Sequence, residues 1–403
     1  MRKILILGGN VGQIPLIKAA KEEGLYVVLC DWTSTNPGIS MSDKHYQVST
    51  MDFEACLNVA LKEQVQGVIS NSEPVMVNVA KIAESLHLIG SPSKSIEILN
   101  SKSKFREFQK RNGYFCPPSY ECTCTEELFS HAKSLSFPII IKPSQSSGSR
   151  GIQTFYEHDI FEFEKAFNAC QSFSTNKKVT IEEYVEMPSM MNIGGDIFIC
   201  GNDIIWDGLA SCIRFPDLPN VPGGEIWPAD LSNPQRDCIT FILTEIFHKL
   251  NIRHGQYNIE AFFTKDHNLF VIEINARQGG NRIPWLIEKH TGIDMNKLLI
   301  TTAIGDYSYF DKIKKRNNDK QFITNFVLLP ENSGIFKGIN IPSELNKKVI
   351  DLSLRKSINT KVEVSTNATD ALAQICFLFN DRTEQMECSI QLKSLIKAII
   401  KKE

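Results

Sequence analysis

No segment of this chain approaches the roughly 20 consecutive apolar residues that would cross a bilayer. The opening run Met1-Arg2-Lys3-Ile4-Leu5-Ile6-Leu7 breaks at once at Gly8-Gly9-Asn10. It is too short for the about 7–15 residue apolar region of an export signal, and reads as a first β-strand. No Cys-x-x-Cys pair occurs, and the 11 cysteines are an odd number scattered along the chain, with one Cys122-x-Cys124. Neither a disulfide framework nor a zinc site follows from that spacing, so a reducing cytoplasm is the simplest setting. An excess of one charge is also missing: 44 Lys plus Arg against 46 Asp plus Glu leave −2. That balance removes the electrostatic case for a nucleic-acid partner. Internal repeats and low-complexity tracts are absent too. What is present is ordinary globular material, 42% apolar and 22% charged, which excludes disorder over most of the length. At roughly 100–200 residues per domain, 403 residues make two or three domains.

The first ninety residues alternate strand and helix signals. Lys3–Leu7 and Tyr26–Cys30 are continuous apolar runs, Gln13–Glu23 has helical spacing before Gly24, and a strand and a helix follow over Val65–Ser70 and Val75–Leu86. Such alternation predicts a doubly wound parallel sheet covered on both faces. Serine and lysine punctuation around Ser91–Ser103 marks a boundary, so a first domain is placed at 1–95 and a second at 96–305. Within the second, Pro117-Pro118 is read as ending the helix Lys102–Asn112, Phe137–Lys142 and Lys178–Val185 as strands, and Ile239–Leu250 as a helix. A hairpin is expected over Ile197–Trp206, turning at Gly201-Asn202-Asp203. A small C-terminal α+β domain is placed at 306–403, its last stretch Ile390–Lys402 read as a basic amphipathic helix whose lysines form a solvated face rather than a membrane contact. The overall class is α/β and α+β multidomain.

Gly8-Gly9-Asn10-Val11-Gly12 stands between a strand and a helix, with Asp31 about twenty residues on, as in a dinucleotide site. The full G-x-G-x-x-G is absent, because Gln13 and Ile14 occupy its end, and a tight strand-to-helix turn explains the same residues. Lys142 closes the strand Pro138-Ile139-Ile140-Ile141 and precedes the small residues Ser144–Gly151, a point charge beside free backbone N–H groups and therefore suited to phosphate. Glu260 and Glu273 each lie in an apolar strand, where a carboxylate is costly unless paired. Glu273, Asn275 and Arg277 share one face by the period of two. Two carboxylates with an amide carbonyl suit Mg²⁺, and Arg277 beside them suits a phosphoryl group. An ion pair between glutamate and arginine inside the sheet is the competing reading.

Taken in order, these elements resemble the ATP-grasp superfamily, in its carboxylate–amine ligase and carbamoyl-phosphate-synthetase-like branch. The resemblance runs from Gly8–Gly12 through Lys102, Asn112-Gly113, Phe137-Pro138-Ile-Ile-Ile-Lys142-Pro143 and Ile181-Glu182-Glu183-Tyr184-Val185 to Glu260 and Glu273-Ile-Asn275-Ala-Arg277-Gln-Gly279-Gly280-Asn281. It implies a two-lobed ATP-grasp domain over 96–305, with a flexible lobe at about 115–185, behind a first domain that does not bind NAD. Lys102 and Lys142 would touch the phosphates of ATP. Ser146, Ser147, Gly148, Ser149 and Gly151 would close over them. Glu182 and the Glu183, Tyr184 and Val185 backbone would meet the adenine. Glu260, Glu273 and Asn275 would hold Mg²⁺, or Mn²⁺ in its place. Arg277 and Asn281 would serve the reacting groups, with Gly279 and Gly280 supplying N–H donors. Trp227, Arg214, Glu225 and Arg282 lie in segments similar to the acceptor-facing parts of L-amino-acid ligases. Pro188-Ser189-Met190-Met191 stands where many relatives carry a ribose-binding glutamate, so that contact is left unassigned.

The activity implied is an ATP-dependent joining of a carboxylate to an amine through an acyl phosphate, with ADP and phosphate released and an amino acid as one substrate. An enzyme that phosphorylates bicarbonate or carbamate, or a non-catalytic nucleotide-binding regulator, are the alternatives. The expected partners are small molecules, with neither nucleic acid nor membrane; a homodimer is an expectation carried from relatives.

Overall fold

The computed structural model describes residues 1–146, 150–189, 191–215, 217–316 and 320–402. β1 (Lys3–Leu7), β2 (Tyr26–Asp31), β3 (Lys44–Gln47) and β4 (Gly67–Ile69) form a parallel sheet in the order β3-β2-β1-β4. Burial on both faces explains why β1 and β2 are unbroken apolar runs. The helix Ile14–Glu22 begins with Pro15 in its first turn and stops before Gly24, whose φ of +69° costs a glycine nothing. The strand order reverses between β1 and β4, and the crevice at their carboxyl ends faces the rest of the molecule.

A second, antiparallel sheet is built from β5 (Ser119–Cys122), β6 (Ile139–Pro143), β7 (Gln153–Phe155) and β8 (Val179–Glu183) in the order β5-β8-β6-β7. Helices Thr125–Ala132 and Ile160–Phe173 pack on it through Leu128, Phe163 and Phe167. Next come β9 (Met191–Cys200), β10 (Asp203–Ile205), β11 (Leu209–Phe215), β12 (Leu218–Trp227), β13 (His254–Phe263), β14 (Leu269–Asn275), β15 (Phe322–Leu328), β16 (Gly334–Asn340), β17 (Val349–Leu354), β18 (Lys361–Val362), β19 (Ala373–Phe379) and β20 (Lys397–Lys401). A nine-stranded antiparallel sheet runs β14-β13-β9-β11-β12-β15-β19-β17, with β10 on the edge of β9. β12 bonds directly to β15, Glu225 opposite Asn325, so the sheet continues unbroken across residue 306. The helix Asn233–Lys249 lays Ile239, Leu243, Ile246 and Phe247 on Ile197, Ile199 and Ile259. Each buried side chain of that size contributes about 1.5–3 kcal/mol.

Three local readings change. The helix Lys102–Arg111 is ended by Gly113 at φ +74°, ahead of the two prolines. The helix read from Ile239 starts at Asn233, because Ser232 and Gln235 form a reciprocal capping box. At the C-terminus the expected helix over Ile390–Lys402 is a helix Arg382–Leu395 followed by a strand, Lys397–Lys401. Ile396 is extended at φ −98°, ψ 124°, and the isoleucines beyond it pair with β16. Lys397, Ile399 and Lys401 point outward in strand alternation while Ala398 and Ile400 pack inward, so no basic helical face exists there.

His254 opens β13 with its ring edge-on to Phe198, centroids 5.8 Å apart, and burial pushes its pKa down to about 4. Between about pH 4 and the ordinary histidine value the unfolded chain therefore binds a proton that the folded chain refuses. Stability falls as pH drops through that window, by about 3 kcal/mol for the full shift. In His254→Gln, urea midpoints compared at pH 7 and pH 4.5 should lose much of this acid sensitivity; parallel pH profiles for the two proteins would refute the assignment.

Candidate active site

One cavity of about 600 Å³ lies where the three sheets meet, walled by Asn71, Lys102, Lys142, Arg214, Glu273 and Arg277 among others. Its centre is a pair of facing carboxylates. β13 and β14 run antiparallel with Glu260 opposite Glu273, and a bulge after Glu260 lets β14 insert Ile272 without losing that register. Glu273 receives Lys102 at 3.1 Å and the Asn275 amide at 3.0 Å. Burial works to raise its pKa, but Lys102, the Asn275 hydrogen bond and Arg277 outweigh it and hold Glu273 below the usual carboxylate range. Glu260 has Arg214 at 3.4 Å, and burial together with the Glu273 charge pushes it up. Two oxygen-donor groups, one of them strained by its neighbour's charge, fit a hard divalent cation. Among the described residues no three His, Cys, Asp or Glu side chains converge. Such an ion would therefore complete its coordination with substrate oxygens and water, as Mg²⁺ commonly does. Asn275 lies behind Glu273 and orients it; it is not on the cavity wall.

The lysines come from two directions. Lys102 is the first residue of a helix capped by Ser101, and its backbone N–H reaches Ser144 O at 3.3 Å. Lys142 sits in β6, buried against Glu182, and burial lowers its pKa to about 8 despite that contact. Glu182 also accepts from Arg106 Nε at 3.2 Å. Burial opposes the ionised form, yet Arg106 and Lys142 hold Glu182 below its usual range. Its carboxylate is thus committed to two cations. Arg106 stacks over Phe270 at 4.8 Å and had no sequence signal beyond its place beside Phe105 on a helix face. Ser146 lines the cavity, and its buried Oγ has no partner among the described residues, which fits a phosphate oxygen.

Tyr184 and Val185 line the cavity. The Glu183 and Tyr184 N–H groups are already bonded to Pro118 O and Pro138 O, at 3.1 and 2.8 Å. Glu183 turns its carboxylate to Ser136 N at 2.8 Å, and Gly151 packs against Phe173, so neither belongs to the wall. Ser147, Gly148, Ser149 and Met190 lie outside the described residues.

Arg277 follows β14 and makes no ion pair with Glu260 or Glu273. Its guanidinium donates to Glu73 at 2.9 Å and to Gln278 O at 2.8 Å. The next turn is anchored by Asp196, which is fully buried and accepts Gly279 N on both oxygens, at 3.0 and 2.9 Å, with Asn258 and Gln256 completing its shell. Burial pushes Asp196 up to about 6 in spite of those donors. Asn281 and Arg282 then adopt left-handed φ of +52° and +62°, uncommon for two consecutive side-chain-bearing residues. That twist brings Asn281 Nδ2 to Glu225 at 3.1 Å; the other Glu225 oxygen accepts Asn325 Nδ2 at 2.7 Å. Burial raises Glu225 above its usual range. Arg214 and Glu225 line the cavity as expected. Trp227 does not: it is wholly buried, donating to Gly208 O at 3.0 Å, because an indole at the end of β12 fills core volume and still satisfies its N–H. Arg282 turns aside to Asp351 and stacks on Trp285 at 4.2 Å. Asp31, the residue expected of a ribose site, spends its oxygens on Gly9 N, Asn36 and Thr33 N.

The sequence profile described as the ATP binding domain of the carbamoyl-phosphate synthase L chain matches residues 101–197. The carbamoyl phosphate synthase large chain of Vibrio cholerae is 22% identical over 355 residues, covering 84% of this chain and 32% of that protein. This chain thus spans about a third of the length of that full-length relative. Among solved structures, the L-amino acid ligase from Bacillus licheniformis superimposes with a TM-score of 0.78 at 20% identity, covering 100% of this chain and 99% of that one. N5-carboxyaminoimidazole ribonucleotide synthetase from Thermotoga maritima does so with 0.70 at 17%, covering 100% of both. The chain shares the fold of these ligase structures, and its residues 101–197 match the ATP-binding profile. The matched profile includes Lys102, Lys142, Ser146 and Glu182 and stops before the carboxylate pair and Arg277.

A side chain added at Gly279 would place its Cβ 2.7 Å from Asn258 Nδ2, Asp196 Oδ1 and Ile283 Cδ1, whereas among the described residues nothing lies within 4 Å of the same atom at Gly280. Overpacking of that kind costs about 1–3 kcal/mol. Gly279→Ala should therefore lower the urea midpoint clearly, and Gly280→Ala should stay within about 0.5 kcal/mol of the parent. Equal effects would show that the turn is not held as described.

Proposed function

We propose that this protein is an ATP-dependent carboxylate–amine ligase, with an amino acid as one substrate. The observation that carries the reading is the opposed pair Glu260 and Glu273, set in one cavity between the lysines Lys102 and Lys142 and the guanidinium of Arg277. Glu260 and Glu273 would hold Mg²⁺, with Mn²⁺ satisfying the same donors; the ion neutralises phosphate charge and polarises the phosphoryl oxygens. Lys102, Lys142 and Ser146 take the phosphate oxygens of ATP, and the apolar stretch at Tyr184 and Val185 takes the base. A substrate carboxylate oxygen attacks the γ-phosphorus, its bond to the β–γ bridging oxygen breaks, and ADP leaves with that oxygen. An acyl phosphate remains on the substrate. The amine nitrogen then attacks the acyl carbon and phosphate departs with the former carboxylate oxygen. The chain's own task is positioning and charge neutralisation.

The amine half rests on Glu225. Glu73, Glu182, Glu260 and Glu273 each pair with a cation, whereas Glu225 is held by two amides and has no ion-pair partner among the described residues. A buried carboxylate left without a counter-ion favours an ammonium-bearing ligand. The matched carbamoyl-phosphate synthase profile supports the second reading, in which bicarbonate or carbamate is phosphorylated in the same place.

Mass spectrometry of the purified protein with Mg–ATP, pooled amino acids and small carboxylates separates these. ADP, phosphate and a condensed mass are expected. ADP formed only with bicarbonate would favour the second reading, and AMP as the nucleotide product would overturn the acyl phosphate. Glu273→Gln should lose about 10²–10³-fold or more in kcat while melting as the parent does, the scale of removing one transition-state charge partner. Arg277→Ala should lower kcat far more than ATP affinity. Near-normal turnover in Glu273→Gln would remove the metal assignment.

A further inference from the structure

The glycine turn after β1 reaches the cavity wall at Asn10 and Gly12, yet no step proposed above uses it. In a doubly wound sheet, ligands bind where the strand order reverses, here between the carboxyl ends of β1 and β4. While Asn10, Gly12, Asn71 and Ser72 line the cavity, the floor of that crevice is filled by the chain itself. Gln13, 1% exposed, lies across it, with its Nε2 on Ser70 Oγ at 3.3 Å and its Oε1 accepting Asn71 N at 2.9 Å. Ser70 Oγ in turn donates to Leu7 O at 2.6 Å and accepts Ser72 N at 3.1 Å. The Asp31 oxygens are committed as well, so the acid that would hold a ribose is already occupied. The residue that breaks the glycine fingerprint is the one that plugs the site.

What the plug holds is the segment Ser70–Glu73. Glu73 begins the turn Glu73–Val75, with Pro74 fixing the backbone behind it. Its carbonyl accepts Asn100 Nδ2 at 3.2 Å, two residues before Lys102, and its carboxylate meets Arg277 at 2.9 Å from a position 204 residues earlier in the chain. Both residues are only 16% exposed at their side chains, so the contact is shielded from solvent. A long arginine side chain has several rotamers available, and only a fixed partner selects one of them.

We propose that Glu73 is a positioning residue for Arg277, and that the switch point of the N-terminal sheet serves to hold Glu73 in place instead of binding a nucleotide. The first sheet is then part of the catalytic apparatus: Gln13 braces Ser70 and Asn71, these present Glu73, and Glu73 aims the guanidinium into the cavity. This rests on the role assigned above to Arg277, but the contact itself is testable without turnover.

Two measurements test it. In ¹⁵N NMR of the full chain, the Arg277 side-chain N–H signal, identified by its loss in Arg277→Lys, should exchange with water at least tenfold faster in Glu73→Gln. An unchanged exchange rate would overturn the contact whether or not the protein is a ligase. In steady-state kinetics, Glu73→Gln should lower kcat by about tenfold or more with KM for ATP within twofold, the scale of a lost charged hydrogen bond. Gln13→Ala should do the same to a smaller extent. In the Arg277→Lys background the Glu73→Gln effect should largely vanish, because a residue acting through Arg277 has nothing left to position. An equal effect in both backgrounds, or a matching fall in melting temperature, would make Glu73 a merely structural residue. Absence of turnover in the parent would defeat the ligase reading and leave the exchange measurement to decide this one.

Discussion

Two carboxylates facing each other across neighbouring strands are unfavourable unless cations surround them, and much of this structure is the means of surrounding them. Glu260 and Glu273 arise on β13 and β14, yet their neutralising charges come from three other places: Lys102 from the helix after the first sheet, Arg214 from β11, and Arg277 from the turn beyond β14. No one local segment could supply them all. The like-charge pair therefore ties together parts of the fold that sequence distance keeps apart, and it stays electrostatically unsatisfied enough to favour a divalent cation.

A second ionic cluster plays the opposite part. Arg106, Glu182 and Lys142 are nearly fully buried and compensate one another, with Glu182 between the two cations. Removing Glu182 would strand two cations in the interior, which is far more costly than losing an exposed pair. Arg106 belongs to the helix before the small lobe, Glu182 to β8 and Lys142 to β6, so this cluster joins the lobe to the helix that carries Lys102. The β5–β8 lobe is thus pinned at its base by charge and left to its own sheet elsewhere.

The division between what could and could not be read from sequence follows contact range. Lys142, Glu260 and Glu273 were legible because each interrupts an apolar strand, where an ionisable group needs a reason. The parallel first sheet was legible from its unbroken apolar runs. Arg106, Asp196 and Glu73 were not, since their partners lie 76, 83 and 204 residues away and nothing local distinguishes them. Trp227 was misplaced because its segment resembles the acceptor-facing part of amino-acid ligases, whereas the strand β12 turns the indole into the core. The C-terminal error is one of period. Leu395-Ile396-Lys397-Ala398-Ile399-Ile400 satisfies helical and strand spacing alike, and pairing with β16 decides between them.

The nucleotide half and the acceptor half of the cavity also differ in what supports them. The stretch matched by a known ATP-binding profile ends at residue 197, so it contains Lys102, Lys142 and the β5–β8 sheet but none of Glu225, Asn281 or Arg277. On the acceptor side the chain relies on buried groups that brace one another: Asp196 holds the Gly279 turn, the left-handed pair Asn281 and Arg282 aims an amide at Glu225, and the N-terminal sheet reaches in through Glu73. On the ligase reading proposed above, an acceptor side assembled from three separate elements can change by altering one of them without disturbing the phosphoryl chemistry. On that reading the buried Glu225, held by two amides and without an ion-pair partner among the described residues, is where such a change would be felt first.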